Sequence, residues 1–535
     1  MRLSQTQGQS VSARPAKASF ACLVATVVFS ILFTAGCKVG PNYSRPSAQT
    51  PSAWKEQPPE GWKDATPRDD ISKGNWWEVF GDPQLNDLEI QAIAANQNLK
   101  AAAERVIEAR ATALVQRSNL FPSISVVPSV EPARISGTRP VAPNSGPTVA
   151  AYTATTFSLP LEASYQVDLW GQIRRSLESA NALTQASVAN YENVLLTLKS
   201  DVASFYIMLH FIDQEREILK NNIDLQQKAL DLAEARHNGG VASGLDVSEA
   251  ETLLDTTQGD YIGLGVQRAQ FEHALAVLLG RPPALVSVPE KALDLAPPVI
   301  PADMPSDLLE RRPDIAAAER DMASTNALVG VARSAYFPNL VLTGSGGYLS
   351  SGIVNLFNLP SLAWSLAATV TQPLYTGGRL SANLLRARAT YDESVASYRQ
   401  QVLVAFQEVE DGLSGLRVLE QQAAAYDKAV KSAQQTVDIS TARYKEGLAN
   451  YLEDITSEVT LLNDQRVNDQ VLEQRLLTTV QLIEALGGGW QESTVYSSST
   501  GVLPNTPTNT PSNAPVTNAP LPAPAPQTPP SQPPQ

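Results

Sequence analysis

Proline is plentiful in this chain, 38 of 535 residues, yet none lies between Pro160 and Pro282 or between Pro373 and Pro504. Proline removes an N–H and clashes with the preceding helical turn, so these two windows are where long unbroken helices can form. In the first, the apolar ladder reads Val188, Tyr191, Leu195, Leu198, Val202, Phe205, Leu209 and Ile212. In the second it reads Val395, Tyr398, Val402, Ala405, Val409, Gly412, Leu416 and Leu419. Steps of three and four alternate, which is a heptad seam. The windows predict helices from about Gly171 to His237 and from Arg379 to Tyr444. At 1.5 Å per residue each is about 100 Å long, far beyond the ordinary globular helix. The small seam residues permit close helix approach.

The second half of the chain repeats the first. "NLKAAAERVIEARATALVQRSNLFPSISV" is answered by "DIAAAERDMASTNALVGVARSAYFPNLVL", and "ARHNGGVASGLDV" by "ARYKEGLANYLED". "ALAVLLGRPP" is answered by "LIEALGGGW". The spacing is too long for a solenoid repeat and reads as an internal duplication. Each long helix ends at a glycine-bearing reversal, and a shorter helix returns to about Gly280 or Gly487. The segments Leu85–Asn119 and Arg311–Ala335 also read as helical, so two short helices end to end could match one long partner.

Each half supplies two strand candidates: Phe121–Val130 and Phe157–Leu169, then Phe337–Leu349 and Leu362–Leu374. From Phe157 to Leu169 every odd position is apolar or alanine and every even one polar or proline, a period of two. Helical spacing takes over directly after Trp170-Gly171. Strands this long can cross a bilayer, and lipid tolerates strands only as closed barrels. Four strands do not close. Two copies would give about eight strands and a filled interior, and three about twelve with an open lumen. The apolar strand face is therefore predicted to look at lipid, with a helical wall continuing the barrel outside the membrane. An ordinary intracellular coiled coil fits neither these strands nor the N-terminus.

That N-terminus has Arg14 and Lys17 before the apolar run "FACLVATVVFSILF" and then "TAGC", the pattern of a secretory signal. The run is short for a membrane span. Two small residues before Cys37 are arranged as in a bacterial lipobox, with Thr34 where leucine is usual. Cleavage there would leave Cys37 as a lipidated first residue and the mature chain without a partner for a disulfide. Lys38 next to it suggests sorting to the outer membrane. The net charge of −14 argues against nucleic acid as a partner.

"CKVGPNYSRP", "WWEVFGDPQLNDL", "YQVDLWGQIRR", "ERRPDIAAAER", "YFPNLVLTG" and "QPLYTGGRL" carry a resemblance that spans Cys37 to about Trp490. The chain resembles the TolC-like outer-membrane efflux factors, and most closely the lipoprotein branch serving resistance–nodulation–division (RND) drug pumps. The resemblance implies a mainly α fold with a small β part, four strands per protomer and twelve in a homotrimer. A coiled-coil helical barrel would continue that β-barrel through the periplasm to a periplasmic adaptor and an inner-membrane RND pump. The implied organisation is a signal peptide (1–36), a lipidated extended segment (37–84), a first repeat (85–280), a linker (281–311), a second repeat (312–490) and a Pro-rich tail (491–535). The implied function is passive conduction of drugs or other small molecules to the exterior. The outer channel of a type I protein secretion system shares the architecture, and the lipobox and "VGPNYSRP" favour the efflux branch. A passive porin lacks the long helices.

Carried over by position, Tyr444 matches a tyrosine that ties the closed end shut, and Asp246 the aspartate that accepts its hydrogen bond. Leu452 matches an apolar constriction residue. Glu453 stands where relatives carry an acid, Thr456 replaces a constriction aspartate, and Ala449 replaces an arginine of the related tip. By local physics, an acid one turn inside a three-fold tip faces two copies of itself, which favours protonation or a bound cation; Glu453 and Asp454 also suit a solvated helix start. Gly240, Val241, Gly447 and Leu448 form the tips, as plain turns or, by resemblance, as adaptor-docking points. His237 falls at the position answered by Tyr444 and reads as a packing or tip residue. No catalytic constellation, phosphate loop or metal-ligand spacing is legible. No cofactor is expected beyond the diacylglycerol and N-acyl chains on Cys37.

Overall fold

A computed structural model describes residues 38–47, 50–51, 54–56, 75–137, 150–292, 295–298 and 312–488. The signal, Cys37, the later part of the linker and the Pro-rich tail lie outside these residues. Among the described residues seven α-helices run in chain order. They are α1 Pro83–Ala95, α2 Gln97–Ser118, α3 Gln172–Asn238, α4 Gly244–Leu278, α5 Pro313–Ser334, α6 Arg379–Lys445 and α7 Tyr451–Ala485. The two long helices, α3 and α6, have 67 residues each, and the two returning helices, α4 and α7, have 35 each. The duplication is thus exact in helix length. α3 packs against α2, α5, α4 and α7, and α6 against α5 and α7, so short helices do match a long one end to end.

The heptad seams are where the burial lies. Val188, Leu198, Val202, Leu209 and Ile212 of α3 are buried, as are Tyr398, Val402, Ala405, Val409 and Leu416 of α6. Gly412 of α6 sits where a Cβ would lie 3.1 Å from Cδ1 and 3.2 Å from Cβ of Leu482 on α7. Its missing side chain is what allows α7 to approach.

Three elements differ from the sequence reading. The single helix expected over Leu85–Asn119 is two helices. Asn96 ends α1, and its side chain accepts from Leu99 N (2.9 Å) to cap α2 while donating to Leu278 O (2.9 Å). A short polar side chain that bonds the backbone favours such a break over a continuous helix. Part of the segment expected to be extended over 37–84 is a 3₁₀ helix, Trp76–Phe80, which buries Trp76, Trp77 and Phe80 in the main core against α1 and α3. The first strand candidate, Phe121–Val130, is broken into β1 Ser123–Val126 and β2 Ser129–Ile135, interrupted at Val127-Pro128, since proline has no N–H for the ladder.

Both pieces pair antiparallel with β3, Tyr152–Val167, followed by β4, Asn339–Ser350, and β5, Leu362–Thr371. Four strand paths result, as expected. The register sets Val126, Leu161, Gly346 and Trp364 side by side, and likewise Tyr165, Leu342 and Ala368. One face therefore gathers Ile124, Phe157, Leu159, Leu340, Leu362, Leu366 and Val370. The other gathers Ser123, Ser125, Glu162, Ser164, Gln166, Thr343, Ser345 and Thr369. The outer strands, β1/β2 and β5, each pair on one side only among the described residues.

Substituting Gly412→Val should push α7 off α6 and lower stability by about 1–3 kcal/mol, the usual cost of overpacking. A thermal-unfolding comparison with Gly412→Ala, which adds less bulk at the same contact, checks this.

Candidate functional site

Two ends of the helices concentrate unusual residues. The first is the pair of reversals. Gly240 has φ +76° and Gly447 φ +75°, a left-handed conformation that glycine adopts without a Cβ penalty. In the first reversal Gly240 N donates to His237 O (2.9 Å) and Val241 N to Arg236 O (2.9 Å). In the second, Gly447 N donates to Tyr444 O (3.0 Å) and Leu448 N to Arg443 O (2.8 Å). Both are Schellman motifs, and they end the two helices identically. The residue after each glycine, Val241 or Leu448, is exposed, and so are Leu245 and Leu452 at the start of the returning helices.

Tyr444 is 2% exposed and packs at 5.1 Å on Tyr451. These two rings join Leu230, Ala233, Ala250 and Leu254 in a small core behind the tips. The hydrogen bond expected from Tyr444 to Asp246 is absent: the Tyr444 hydroxyl is buried without a partner among the described residues. Arg236 takes over the tie. Its guanidinium lies 4.7 Å over the Tyr444 ring, and Nη1 donates to Tyr444 O at 2.8 Å. A cation at the carbonyl end of a helix and over an aromatic face is favoured twice. Burial raises the Tyr444 pKa against the opposing pull of Arg236.

Arg443 is the counterpart of Arg236 in the second repeat, and it turns instead to Glu453, 2.6 Å away. Glu453 is therefore charge-paired, which removes the argument for a ring of bare carboxylates. The side chain of Asn450 caps this turn by accepting from Glu453 N (3.1 Å). Thr456 donates to Leu452 O (2.7 Å) and so bonds its own helix, while Leu452 is 57% exposed. Asp454 does not belong to a solvated face; it is 2% exposed and accepts from Ser440 and Thr441, both at 2.8 Å. His237 is exposed and uses Nδ1 on Ala242 O (3.1 Å), so it is a tip residue and not a seam residue. Arg236 was missed in the sequence, though "ARH" and "ARY" repeat it at both reversals.

The second end is the strand-to-helix junction. β3 stops at Val167, and a tight turn reaches α3. Asp168 accepts from Ile173 N (3.2 Å) and Arg174 N (3.0 Å), and Arg174 Nε closes the same carboxylate at 3.0 Å. Gly171 has φ +81°, and a Cβ there would lie 3.1 Å from Lys38 Cα. Helical spacing resumes at once, as read, but through this glycine turn. Val39 N donates to Trp170 O (3.0 Å), and Lys38 pairs with Glu178. The fully buried Arg175 holds Val39 O (3.3 Å), Gly40 O (3.2 Å) and Asn42 Oδ1 (3.1 Å). Gly40, at φ +107°, lies where a Cβ would be 2.5 Å from Gly330 Cα on α5. The start of "KVGPN" is thereby pinned at the foot of the sheet. Trp170 stacks on Phe337 at 4.7 Å.

A family profile described as outer membrane efflux protein matches residues 90–281 and 304–488, and the chain belongs to that family. The pyoverdine export outer membrane protein OpmQ of Pseudomonas aeruginosa is 32% identical over 476 residues, 87% of this chain and 97% of that protein. The toluene efflux pump outer membrane protein TtgI of Pseudomonas putida is 31% identical over 471 residues, 87% of this chain and 98% of that protein. Among solved structures, the outer-membrane channel OprN superposes with a TM-score of 0.78 at 28% identity, covering 85% of this chain and all of that one. The outer membrane protein VceC of Vibrio cholerae gives 0.72 at 27%, covering 78% and 100%. This protein is an outer-membrane channel component of an efflux system, with a helical part in the periplasm.

Glu458, half-buried behind the tip, has its pKa raised from 4.5 to about 7 by burial and by Asp454. The folded tip then holds a proton that the unfolded chain releases. Its contribution to tip stability should be full below pH 4.5, fall as pH rises toward about 7, and level off above. Amide exchange over 230–254 and 444–462 across that range checks the slope, and Glu458→Gln should flatten it.

Proposed function

We propose that three copies of this chain close their sheets into a twelve-stranded barrel, open to water inside, and continue it as a periplasmic helical tunnel. The observation that carries this reading is the four-stranded sheet itself. One face is mostly apolar between Phe157 and Val167 and across their partners, the other holds Ser, Thr and Glu162, and both edges lack a neighbour among the described residues. Hydrocarbon leaves no water for an open edge, and three such sheets joined edge to edge make a lumen wide enough to conduct. The pocket between α3 and α6, lined by Asp314, Glu408, Asp411 and Glu484, adds acidic groups but no catalytic arrangement.

Lipidation of Cys37 is part of the proposal. Lys38, the next residue, sits against Gly171 at the foot of the sheet, within one residue's reach of the membrane surface. Acyl chains on Cys37 would enter the inner leaflet beside the barrel. At the far end, the paired tips Gly240-Val241 and Gly447-Leu448 form the docking points for a periplasmic adaptor, through which an inner-membrane RND pump delivers drugs or other small molecules. Two exposed apolar side chains on identical glycine turns support this role. The closed state is held by Arg236 on Tyr444 and by Arg443 on Glu453, with Leu452 the apolar constriction and Asp246 and Thr456 lining the same turns.

Deleting the gene should raise susceptibility to the drugs a partner pump exports, and deleting that pump as well should add nothing further. Additivity between the two deletions would count against a shared route. Replacing Leu452 and Glu453 with small neutral residues should raise single-channel conductance in planar bilayers, and unchanged conductance would remove them from the gate. Cys37→Ser should abolish incorporation of labelled palmitate.

A further inference from the structure

The segment between β4 and β5, residues 351–361, reads "SGIVNLFNLPS" and has no charged residue. It exposes Ile353, Val354 (90%), Phe357 (68%) and Leu359 (82%). Surface loops in water rarely show four large apolar side chains together. We infer that this segment is a wedge in the bilayer, folded against the outside of the barrel with these four side chains among the acyl chains of the outer leaflet. The inference rests on the barrel reading above and adds to it where one loop goes.

Three observations carry it. First, the Phe357 ring meets the Tyr348 ring edge-on at 5.5 Å. Tyr348 pairs with Leu159 on one side and Leu362 on the other, so it belongs to the apolar sheet face, and the loop turns toward that face and away from the Ser/Thr face. Second, the depth is right. β4 ends at Ser350, opposite Phe157, and the paired stretch begins at Val167. That stretch is about 34 Å along the strand at about 3.4 Å per residue. Tilted as barrel strands are, it rises about 25 Å, the height of the apolar band. β2 and β3 continue beyond this level, and the first charged side chain on the apolar face is Arg134, opposite Thr153. Arg134 lies about 14 Å further out along the strand, so the loop leaves β4 below the first charge.

Third, five backbone N–H groups of the segment donate within it or to the adjoining Ser350. Gly352 N donates to Ser350 Oγ, Asn355 N to Gly352 O, Leu356 N to Ile353 O, Asn358 N to Asn355 O and Ser361 N to Asn358 O. Polar side chains bond within the segment too, Asn358 Nδ2 onto Asn355 Oδ1 and Ser361 Oγ onto Asn355 O. At the edge of hydrocarbon each such internal bond lowers the cost of leaving water.

The test uses the full chain, purified as its oligomer and reconstituted in phospholipid vesicles, with a nitroxide attached at Phe357→Cys and, separately, at Val354→Cys. Leu366→Cys marks the sheet's apolar face and Ser365→Cys its polar face, and the unsubstituted chain supplies the blank for Cys37. At 357 and 354, relaxation should be enhanced more by oxygen than by a nickel chelate, as at 366 and opposite to 365. Greater enhancement by the chelate would put the loop in water at the channel mouth and overturn the inference. Protection from both reagents would bury it against a neighbouring copy and overturn it as well. If position 366 itself favours the chelate, it is the barrel reading that fails. Should Phe357→Cys not assemble, the 354 label decides alone.

Discussion

A β-sheet in hydrocarbon must leave no backbone group unpaired, and this chain builds only a third of what that requires. Four strand paths, largely apolar on one face and polar on the other, end among the described residues in two open edges. Everything else follows from closing those edges with further copies. Closure creates the lumen, and the strands must leave the membrane in a ring. The only element that continues a ring of that width without new edges is a cylinder of helices, whose backbone bonds are internal. The two 67-residue helices are the physical consequence.

Between sheet and helices lies a junction that has to turn sharply and yet be stiff. Gly171 supplies the turn, Asp168 and Arg174 lock it, and Arg175 buries its guanidinium among carbonyls of the N-terminal segment. A buried guanidinium is tolerated only when its donors are satisfied, and here the oxygens come from residues 39–42 together with Glu178. The junction therefore requires the N-terminal strap, and the strap brings the residue after Cys37 to the membrane boundary. At the opposite end the same economy recurs: identical glycine motifs close both reversals, and the duplicated arginines, Arg236 and Arg443, have taken different partners. A duplication that keeps the backbone while reassigning side chains yields two unequal helix pairs.

Much of this was legible in residues. The heptad seams, the proline-free windows and the repeated "GG" and "EG" reversals define the helices to within a residue or two at several ends. Period-two alternation marks β3 and β5. The misses share one cause. Asn96, Pro128 and the Trp76–Phe80 turn are single positions where a local side-chain or proline effect overrides the pattern around it, and periodicity over a long window averages such positions away. The tip was harder still. Tyr444 and Glu453 stand at the matching positions, but their partners, Arg236 from α3 and Arg443 from α6, depend on which helix ends meet. Asp454 reads like a solvated acid and is buried, because two hydroxyls from α6 lie opposite it.

The amino-acid order alone determined helix lengths, strand faces, the doubling and the need for several copies, since each depends on spacing along one chain. Only the folded chain decided which side chains across the reversals hold one another, that the N-terminal strap docks on Gly171 and Gly330, and that the β4–β5 segment turns to the apolar side. Those outcomes rest on contacts across a reversal or between segments far apart in the chain, or on the hand of a single loop. Periodicity carries no information about either.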